Sequence, residues 1–253
     1  MENQISKRPI RERKICRRYD SWPIGKIIQK PGPEPKLNLA AELKRKGNNI
    51  KCITFDFGGV YTTGDIITDV FDAYRIKYGT DIMDFWRQVH DTEHWRNFFT
   101  GKLSEKDFWA NVKREFNMPE FDEKLFGRHI RGASLDINPK MEALVAKLRS
   151  MRYKMALLTN NAREWFDCFP DSDRLDGFEL ILTSYDLGVK KPDPKIYQAL
   201  LDLTKVQANE CVFLDDYERN VEGARKLGIH SILFKSYEQA LGELEEILGK
   251  KLN

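Results

Sequence analysis

The most informative stretch of this 253-residue chain is Ile53-Thr54-Phe55-Asp56-Phe57-Gly58-Gly59-Val60. Its first residues are apolar, β-branched or aromatic, which predicts a short buried strand. An aspartate and two glycines follow directly. The glycines let the backbone approach a bound ligand closely, and the acid is held at the end of a rigid element, where open α/β folds bind ligands. The alternative is a plain surface turn, because Asp-x-Gly-Gly is common turn chemistry.

Strands and helices alternate along the rest of the chain. Further strands are predicted at 153–158, 178–182, 211–214 and 231–234, and helices at 139–151, 196–203, 221–227 and 237–249. This alternation predicts an α/β protein with a doubly wound parallel sheet and a Rossmann-like core.

Residues 66–132 have apolar residues at helical spacing and no strand pattern, which predicts a helical cap inserted after the first strand. Ser104 is predicted to cap one of its helices, with Asp107 three residues later. We assign the cap tryptophans Trp86, Trp95 and Trp109 to the core of the cap rather than to a substrate wall.

The chain is thus divided into three parts. Residues 1–48 form an N-terminal extension, residues 49–65 and 133–253 form the α/β core, and residues 66–132 form the cap. The chain is 41% hydrophobic and 32% charged, which suits a globular protein of this length.

The net charge of +3 comes from the extension. Residues 1–51 hold 14 lysines and arginines against 5 acids, whereas the remainder holds 28 against 34. The extension is expected to be a solvated tail, with contact to nucleic acid or an anionic surface as the alternative. A mitochondrial presequence is disfavoured, because such segments avoid acids and this one contains Glu2, Glu12 and Asp20.

The sequence has no apolar run long enough to cross a membrane and no secretory signal. Its four cysteines are scattered without the spacing of metal ligands: Cys16, Cys52, Cys168 and Cys211. We therefore expect a reduced, cytoplasmic setting and no contact with a membrane. The oligomeric state does not follow from the sequence.

Polar residues stand just past the last apolar residue of three predicted strands, namely Asp56, Thr159, Asp215 and Asp216. The ends of parallel strands line one edge of a sheet, so we expect these residues to converge on one crevice, which Lys191 can reach from a loop. Neighbouring carboxylates repel unless a cation joins them, and hard oxygen ligands suit Mg²⁺. A magnesium ion beside a lysine and backbone amides suits a phosphate, so a small phosphorylated substrate is predicted.

Four motifs in this order identify a family. They are Phe55-Asp56-Phe57-Gly58-Gly59-Val60, Leu157-Leu158-Thr159-Asn160-Asn161, the segment 188–197 with Lys190-Lys191-Pro192-Asp193-Pro194, and Val212-Phe213-Leu214-Asp215-Asp216 followed by Asn220. Over residues 50–240 the chain resembles the haloacid-dehalogenase-like hydrolase superfamily. Within it, the chain is similar to the phosphatases with a helical cap after the first strand, such as the phosphatase domain of soluble epoxide hydrolase.

The resemblance implies roles for five residues. Asp56 would be the nucleophile that forms an aspartyl-phosphate, and Lys191 would neutralise charge on Asp56 and the phosphate. Thr159, Asn160 and Gly59 would bind the phosphoryl group of the substrate. The implied reaction is hydrolysis of a phosphate monoester.

The resemblance also implies a magnesium site formed by Asp56, the Gly58 carbonyl and Asp216, with help from Asp215. One departure concerns Gly58 itself, because most phosphatases of the superfamily have a second aspartate there as general acid and base. Such a group is typically worth about 10²–10⁴ in rate. Its loss would favour substrates with good leaving groups.

Other residues could replace the missing acid. The candidates are Tyr61, Asp65, His90 and His94, each of which also has a structural interpretation. If none replaces it, the chain is a catalytically weak binding or regulatory protein of the same fold. A haloacid dehalogenase needs no leaving-group acid, but the pair Asp215 and Asp216 suits a metal and argues against that activity.

Overall fold

The structure is a computed structural model that describes residues 49–63, 66–79, 82–132, 136–166 and 172–252. The predicted N-terminal extension lies outside these residues, as does the candidate acid Asp65. The boundaries proposed for the cap stay a prediction.

Five parallel strands form one sheet in the order β3-β2-β1-β4-β5. The strands are β1 Cys52–Phe55, β2 Lys154–Thr159, β3 Leu180–Thr183, β4 Cys211–Asp215 and β5 His230–Leu233. The chain winds outward from β1 through β2 to β3, and then returns to the other side of β1 for β4 and β5. The predicted doubly wound α/β sheet is confirmed, and its winding reverses between β1 and β4.

Helices surround this sheet. Those of the core are α6 Pro139–Ser150, α7 Arg163–Phe166, α8 Ser184–Leu187, α9 Pro194–Thr204, α10 Glu218–Arg225 and α11 Tyr237–Leu248. Between β1 and α6 lie α1 Ile66–Tyr78, α2 Met83–Asp91, α3 Glu93–Phe99, α4 Glu105–Glu115 and α5 Glu123–Gly132, which we call the helical insert.

Strand boundaries differ from the prediction by one or two residues for local reasons. The strand predicted from residue 178 begins at Leu180, because Phe178 closes the preceding turn with an N–H bond to the Leu175 carbonyl of 3.0 Å. The Phe178 ring packs edge-on against Tyr61, with a centroid distance of 4.9 Å. Phe178 therefore belongs to the turn before β3 and packs against Tyr61, although the sequence pattern assigns it to the strand.

The two connections to the helical insert run side by side. Thr62 and Ile137 form an antiparallel bridge, the Thr63 N–H donates to the Asp136 carbonyl at 2.7 Å, and the Asn138 N–H donates to the Tyr61 carbonyl at 3.0 Å. The insert therefore leaves and re-enters the core at one place, directly after β1.

The helical insert has its own hydrophobic core. Trp86, Trp95 and Trp109 are at most 6% exposed and pack among phenylalanines of the insert. Ala162, in the loop after β2, and Trp165, in α7, belong to the same cluster. The prediction that the insert tryptophans form a core is confirmed.

None of the described helices combines the length and the apolar composition needed to cross a bilayer.

Candidate active site

Acidic side chains meet at the carboxyl edge of β1 and β4. Asp56 directly follows β1, its N–H donating to the Leu214 carbonyl of β4 at 2.8 Å, while Asp215 ends β4 and Asp216 follows it. One carboxylate oxygen from each of these three aspartates lies within 4.8 Å of the others. The edge between β1 and β4 is where the winding reverses, which is the usual ligand position in such sheets.

The ammonium group of Lys191 lies at the centre of this cluster and is 1% exposed. It contacts Asp56 Oδ1 at 2.8 Å, Asp215 Oδ2 at 2.6 Å and the Leu158 carbonyl oxygen at 2.9 Å. An ammonium group has three protons to donate, and here it has three acceptors. Lys191 is therefore fixed as a buried positive charge beside Asp56.

The protonation of Asp56 depends on opposing effects. Burial raises the pKa of the Asp56 carboxyl group, Lys191 lowers it, and Asp215 raises it further. Burial also lowers the pKa of Lys191, but Asp56 and Asp215 outweigh burial, so the net shift is upward. The net effect on Asp56 also raises its pKa, to about 8, which would leave its carboxyl group protonated at neutral pH. A charged Lys191 beside it favours the ionised carboxylate instead. The contact of 2.8 Å favours the ionised Asp56 carboxylate, which also accepts the Phe57 N–H at 2.6 Å.

Asp215 is fully buried and holds the network together. Its Oδ2 accepts from Lys191 Nζ at 2.6 Å, and its Oδ1 accepts from the Tyr217 N–H at 2.8 Å. The Asn220 Nδ2 donates to both oxygens, to Oδ1 at 2.9 Å and to Oδ2 at 3.1 Å. The sequence analysis listed Asn220 after the fourth motif but assigned it no role. Its position five residues after Asp215, in the first turn of α10, is the feature of the sequence from which this contact could have been predicted.

Asp216 differs from Asp215 because one of its oxygens lacks a donor. Among the described residues, the buried Asp216 Oδ1 has no hydrogen-bond partner. Burial, and then the charge of Asp215, raise the pKa of Asp216. A buried carboxylate oxygen without a donor is what a bound cation would satisfy, so the three aspartates fit a divalent metal with oxygen ligands.

Gly59 makes close approach to Asp216 possible. Its φ of +72° is in the left-handed region, and a Cβ on Gly59 would lie 2.4 Å from Asp216 Oδ2. Gly58 has an ordinary φ of −69°, is exposed, and has no atom within 4 Å of a Cβ built on it. Only the second glycine is therefore required by the geometry of the site.

Thr159 and Asn160 lie at the adjacent end of β2. Thr159 is the last residue of the strand and is buried. The Asn160 side chain donates to the Lys191 carbonyl at 3.0 Å and accepts the Lys191 N–H at 2.8 Å. The Asn160 amide thus positions Lys191, and any contact of Asn160 with a phosphate falls to its backbone.

The candidate replacements for the missing acid have other roles in the structure. The Tyr61 hydroxyl donates to the Arg174 carbonyl at 3.0 Å, and burial raises the pKa of Tyr61 to about 12. His94 pairs with Glu115 at 3.1 Å. The His90 ring stacks on Trp95 with a centroid distance of 3.9 Å, and desolvation, followed by the charge of Lys190, lowers the pKa of His90 to about 4.

Comparison with known proteins supports the fold and the family. A family model described as haloacid dehalogenase-like hydrolase matches residues 50–228. The chain is 32% identical over 159 residues to bifunctional epoxide hydrolase 2 of Mus musculus, covering 58% of this chain but only 26% of that protein. It is 27% identical over 199 residues to phosphatase MT3486 of Mycobacterium tuberculosis, covering 73% of this chain and 87% of that protein.

A solved structure extends the comparison. A HAD family enzyme of Bacteroides thetaiotaomicron, crystallised with magnesium and inorganic phosphate, matches with a TM-score of 0.58 and 23% identity, covering 74% of this chain and 96% of that chain. Similarity at this level concerns the fold alone. The family model, by contrast, covers well over half of the chain, and its span includes Asp56, Lys191 and Asp216. The chain belongs to the haloacid dehalogenase-like hydrolases.

Proposed function

We propose that this hydrolase is a Mg²⁺-dependent phosphatase that acts on a small phosphorylated metabolite through an aspartyl-phosphate. The observation that carries the proposal is the geometry around Asp56, a buried carboxylate 2.8 Å from the Lys191 ammonium group and clustered with Asp215 and Asp216. The similarity to a mycobacterial protein named as a phosphatase, of which the chain covers 87%, supports the choice of reaction.

The magnesium ion would be held by Asp56, Asp216 and the Gly58 carbonyl, with Asp215 beside them. The Asp216 oxygen that has no donor among the described residues supports this assignment. When bound, Mg²⁺ supplies positive charge that screens Asp56 from an anionic substrate and stabilises charge in the transition state.

The protein groups supply the nucleophile and its surroundings. We assign the attack to Asp56 Oδ2, because Oδ1 already accepts from Phe57 and Lys191. A bond forms between Oδ2 and phosphorus, and the bond from phosphorus to the leaving oxygen breaks, its electron pair going to that oxygen. Water then attacks phosphorus and the Oδ2–phosphorus bond breaks, which releases phosphate and restores the carboxylate. Thr159 and the backbone of Gly59 and Asn160 would bind the phosphoryl oxygens.

No general acid is provided at position 58, so the leaving oxygen takes its proton from solvent. Substrates whose leaving group is stable as an anion, such as acyl phosphates or sugar 1-phosphates, are therefore expected to react fastest. Tyr61 does not replace the acid, since its hydroxyl is bonded to the Arg174 carbonyl. His90, with its pKa lowered to about 4, would be neutral at pH 7.

The first test compares wild type with Asp56→Asn on p-nitrophenyl phosphate and acetyl phosphate, with and without Mg²⁺. The variant is expected to lose at least about 10³ in kcat, because removing a nucleophile removes the reaction path. Asp202→Asn on the exposed face of α9 is the matched control and should keep full activity. Equal rates for wild type and Asp56→Asn would remove the proposal.

A second test restores the missing acid. Gly58→Asp should fit without strain, because nothing lies within 4 Å of its Cβ. Hydrolysis of glycerol 3-phosphate, which has a poor leaving group, is expected to rise by about 10²–10⁴, and hydrolysis of acetyl phosphate should change little. Gly58→Asn, which has a similar size but no acidic proton, is the control.

The second candidate function is a catalytically weak binding protein of the same fold, and Gly58 is the residue that favours it. Deleting residues 1–48 separates the two, since loss of RNA binding with unchanged hydrolysis would support a binding role for the extension. A dehalogenase is disfavoured, because the buried Asp216 oxygen calls for a cation that such a reaction does not need. The cytoplasmic location stays a prediction, with which the free thiols of Cys52 and Cys211 agree.

A further inference from the structure

The Ser184 hydroxyl joins the helical insert to the loop after β2. Ser184 directly follows β3 as the first residue of α8, and it is 0% exposed. The neighbouring strands β2 and β3 end together, because Thr159 and Thr183 are partners in register. The loop of residues 160–162, which we call the β2 loop, therefore starts beside Ser184.

The Ser184 hydroxyl bonds to the insert and to the β2 loop at the same time. It accepts the Asn161 N–H at 3.1 Å, and it donates to the Phe99 carbonyl at the end of α3 at 2.6 Å. A hydroxyl group has one proton, and the Asn161 carbonyl is further away, at 3.4 Å from Ser184 Oγ. The proton is therefore directed at Phe99, while a lone pair of the same oxygen accepts from Asn161.

Gly101 allows the insert to lie this close to the core. It has a φ of +69°, and a Cβ built on it would be 2.9 Å from the Tyr185 carbonyl oxygen and 3.3 Å from the Tyr185 ring. A side chain at position 101 would therefore push the insert away from Tyr185, which is the residue after Ser184. The bond from Ser184 to Phe99, two residues before Gly101, depends on this close approach.

The β2 loop is tied to the reaction centre on its other side. Asn160 precedes Asn161, and its side chain accepts the Lys191 N–H at 2.8 Å and donates to the Lys191 carbonyl at 3.0 Å. Neighbouring Cα atoms are about 3.8 Å apart, so a displacement of Asn161 also displaces the Asn160 backbone. That backbone is one of the groups to which we assign the phosphoryl oxygens.

We propose that Ser184 is a positioning residue, which couples the seating of the helical insert on the core to the position of the β2 loop. Its oxygen is held between Phe99 and Asn161, so a movement of the insert is passed to the loop. The effect on rate rests on the proposed phosphatase function, because the loop would then bind the phosphoryl group. The coupling between insert and loop is a property of the fold and holds without it.

The first test removes the hydroxyl group. Ser184→Ala is expected to lower kcat for p-nitrophenyl phosphate at least 10-fold, because a small displacement of a positioning group is costly to the rate. The Kd for Mg²⁺ should stay within 2-fold, since Asp56 and Asp216 are not in contact with Ser184. Rates are measured at a temperature where thermal unfolding shows every variant to be folded.

Ser231→Ala is the matched control. Ser231 in β5 is also buried, and its hydroxyl donates to the Ile229 carbonyl at 3.1 Å, so the same substitution again removes a buried hydroxyl bonded to a carbonyl. It should lower the unfolding temperature and keep kcat. A kcat for Ser184→Ala equal to that of Ser231→Ala would overturn the inference.

A double-mutant cycle tests the coupling itself. Gly101→Ala displaces the insert at Tyr185 and should lower kcat about 10-fold when Ser184 is present. In the Ser184→Ala background it should lower kcat less than about 2-fold further, because the connection to the β2 loop is already lost. Gly79→Ala is the control, since Gly79 has a φ of +67° but no atom within 4 Å of a Cβ built on it. Independent effects of Gly101→Ala and Ser184→Ala would contradict the coupling.

Amide hydrogen exchange of the β2 loop separates this inference from the proposed function. Gly101→Ala should speed exchange at residues 160–162 at least 10-fold, whereas Gly79→Ala should not change it. Unchanged exchange in a protein that hydrolyses p-nitrophenyl phosphate would contradict the coupling alone. Faster exchange in a protein without hydrolysis would contradict the phosphatase and keep the coupling. Unchanged exchange without hydrolysis would overturn both.

Discussion

The carboxyl edge of the sheet, around Asp56 and Lys191, and the helical insert are stabilised by different kinds of contact. At the edge, Lys191, Asp56 and Asp215 bury charges that satisfy one another over 2.6 to 2.8 Å. In the insert, aromatic rings pack on one another, as where Trp95 stacks on Phe99 with a centroid distance of 3.9 Å. A charge network depends on each partner, whereas ring packing spreads the stabilisation over many contacts.

The two kinds of contact suit two different tasks. The edge fixes a few polar atoms at short distances, which is what a reaction needs. The insert packs on the core at the end of α3, where the Ser184 hydroxyl donates to the Phe99 carbonyl, and we propose that it selects the substrate. Substitutions at the edge should therefore affect chemistry and stability together, and those in the insert should affect stability with little effect on the metal site.

The largest effect is expected from the two adjacent lysines. Lys191→Met leaves Asp56 and Asp215 buried without their cation, so the free energy of unfolding should fall by about 3–5 kcal/mol. Lys190→Met removes a cation without an ion-pair partner among the described residues, and should change stability by less than about 1 kcal/mol. Urea unfolding monitored by circular dichroism measures both.

The matched pair also tests the description of the edge. Both variants have the same new side chain at neighbouring positions, so only the environment differs. Equal losses in the free energy of unfolding would mean that the three acceptors around Lys191 do not make its charge more important for stability than the charge of Lys190.

A substitution inside the insert is expected to lower stability by a similar amount but to leave the proposed metal site intact. Phe108 is 0% exposed and stacks on Phe98 with a centroid distance of 4.7 Å. Phe108→Ala should lower the free energy of unfolding by about 3–5 kcal/mol, because it opens a cavity among the rings. Phe116→Ala, at a partly buried ring, is the control with a smaller loss.

Magnesium affinity distinguishes the two regions in these variants. Calorimetric titration should give the same Kd for Mg²⁺ in wild type and Phe108→Ala at a temperature where both are folded. A large change in that Kd would show that the insert helps to shape the metal site.

Much of the edge could be predicted from the sequence, because strand ends in a parallel sheet must meet. Asp56, Thr159 and Asp215 each mark the end of an apolar run, and the parallel arrangement of the sheet follows from the α/β alternation. The Asn160 contacts with Lys191 could not be predicted, since they depend on the path of a loop 31 residues away. The contact of Asp215 with Lys191, 24 residues away, could not be predicted for the same reason, whereas its contact with Asn220 is local.

The insert was predictable only in outline. Its helical spacing and its tryptophans indicate a helical unit with an aromatic core, and both predictions are confirmed. The contacts that join the insert to the core carry no signal in the sequence, because the bond from the Ser184 hydroxyl to the Phe99 carbonyl forms only when the insert lies on the core. Long-range packing, not local preference, produces these contacts.

A smaller effect is expected at the two glycines. Gly59→Ala forces a side chain into the left-handed region and toward Asp216 Oδ2, 2.4 Å from the new Cβ, so it should destabilise by about 1–3 kcal/mol. It should also weaken Mg²⁺ binding, since Asp216 has to move. Gly58→Ala meets no atom within 4 Å and should be near neutral in both measurements. If Gly58→Ala and Gly59→Ala have the same stability and the same Mg²⁺ affinity, the close approach of Gly59 to Asp216 is not required for either property.

The smallest effect is expected where the two regions touch, at the start of α4. The Ser104 hydroxyl accepts the Asp107 N–H at 3.1 Å and donates to the Asp107 carboxylate at 2.8 Å, as the sequence predicted for a helix cap. Ser104→Ala should lower the free energy of unfolding by about 1 kcal/mol, whereas Lys106→Ala in the same turn should have almost no effect.

Glu105, next to this cap, accepts the Trp165 indole N–H at 3.1 Å and so joins the insert to the core. Loosening this helix N-cap should therefore raise KM more than it lowers kcat, because it moves the insert, which we propose selects the substrate, and leaves the charges around Lys191 in place. A fall in kcat with unchanged KM would instead place this junction in the chemistry of the edge.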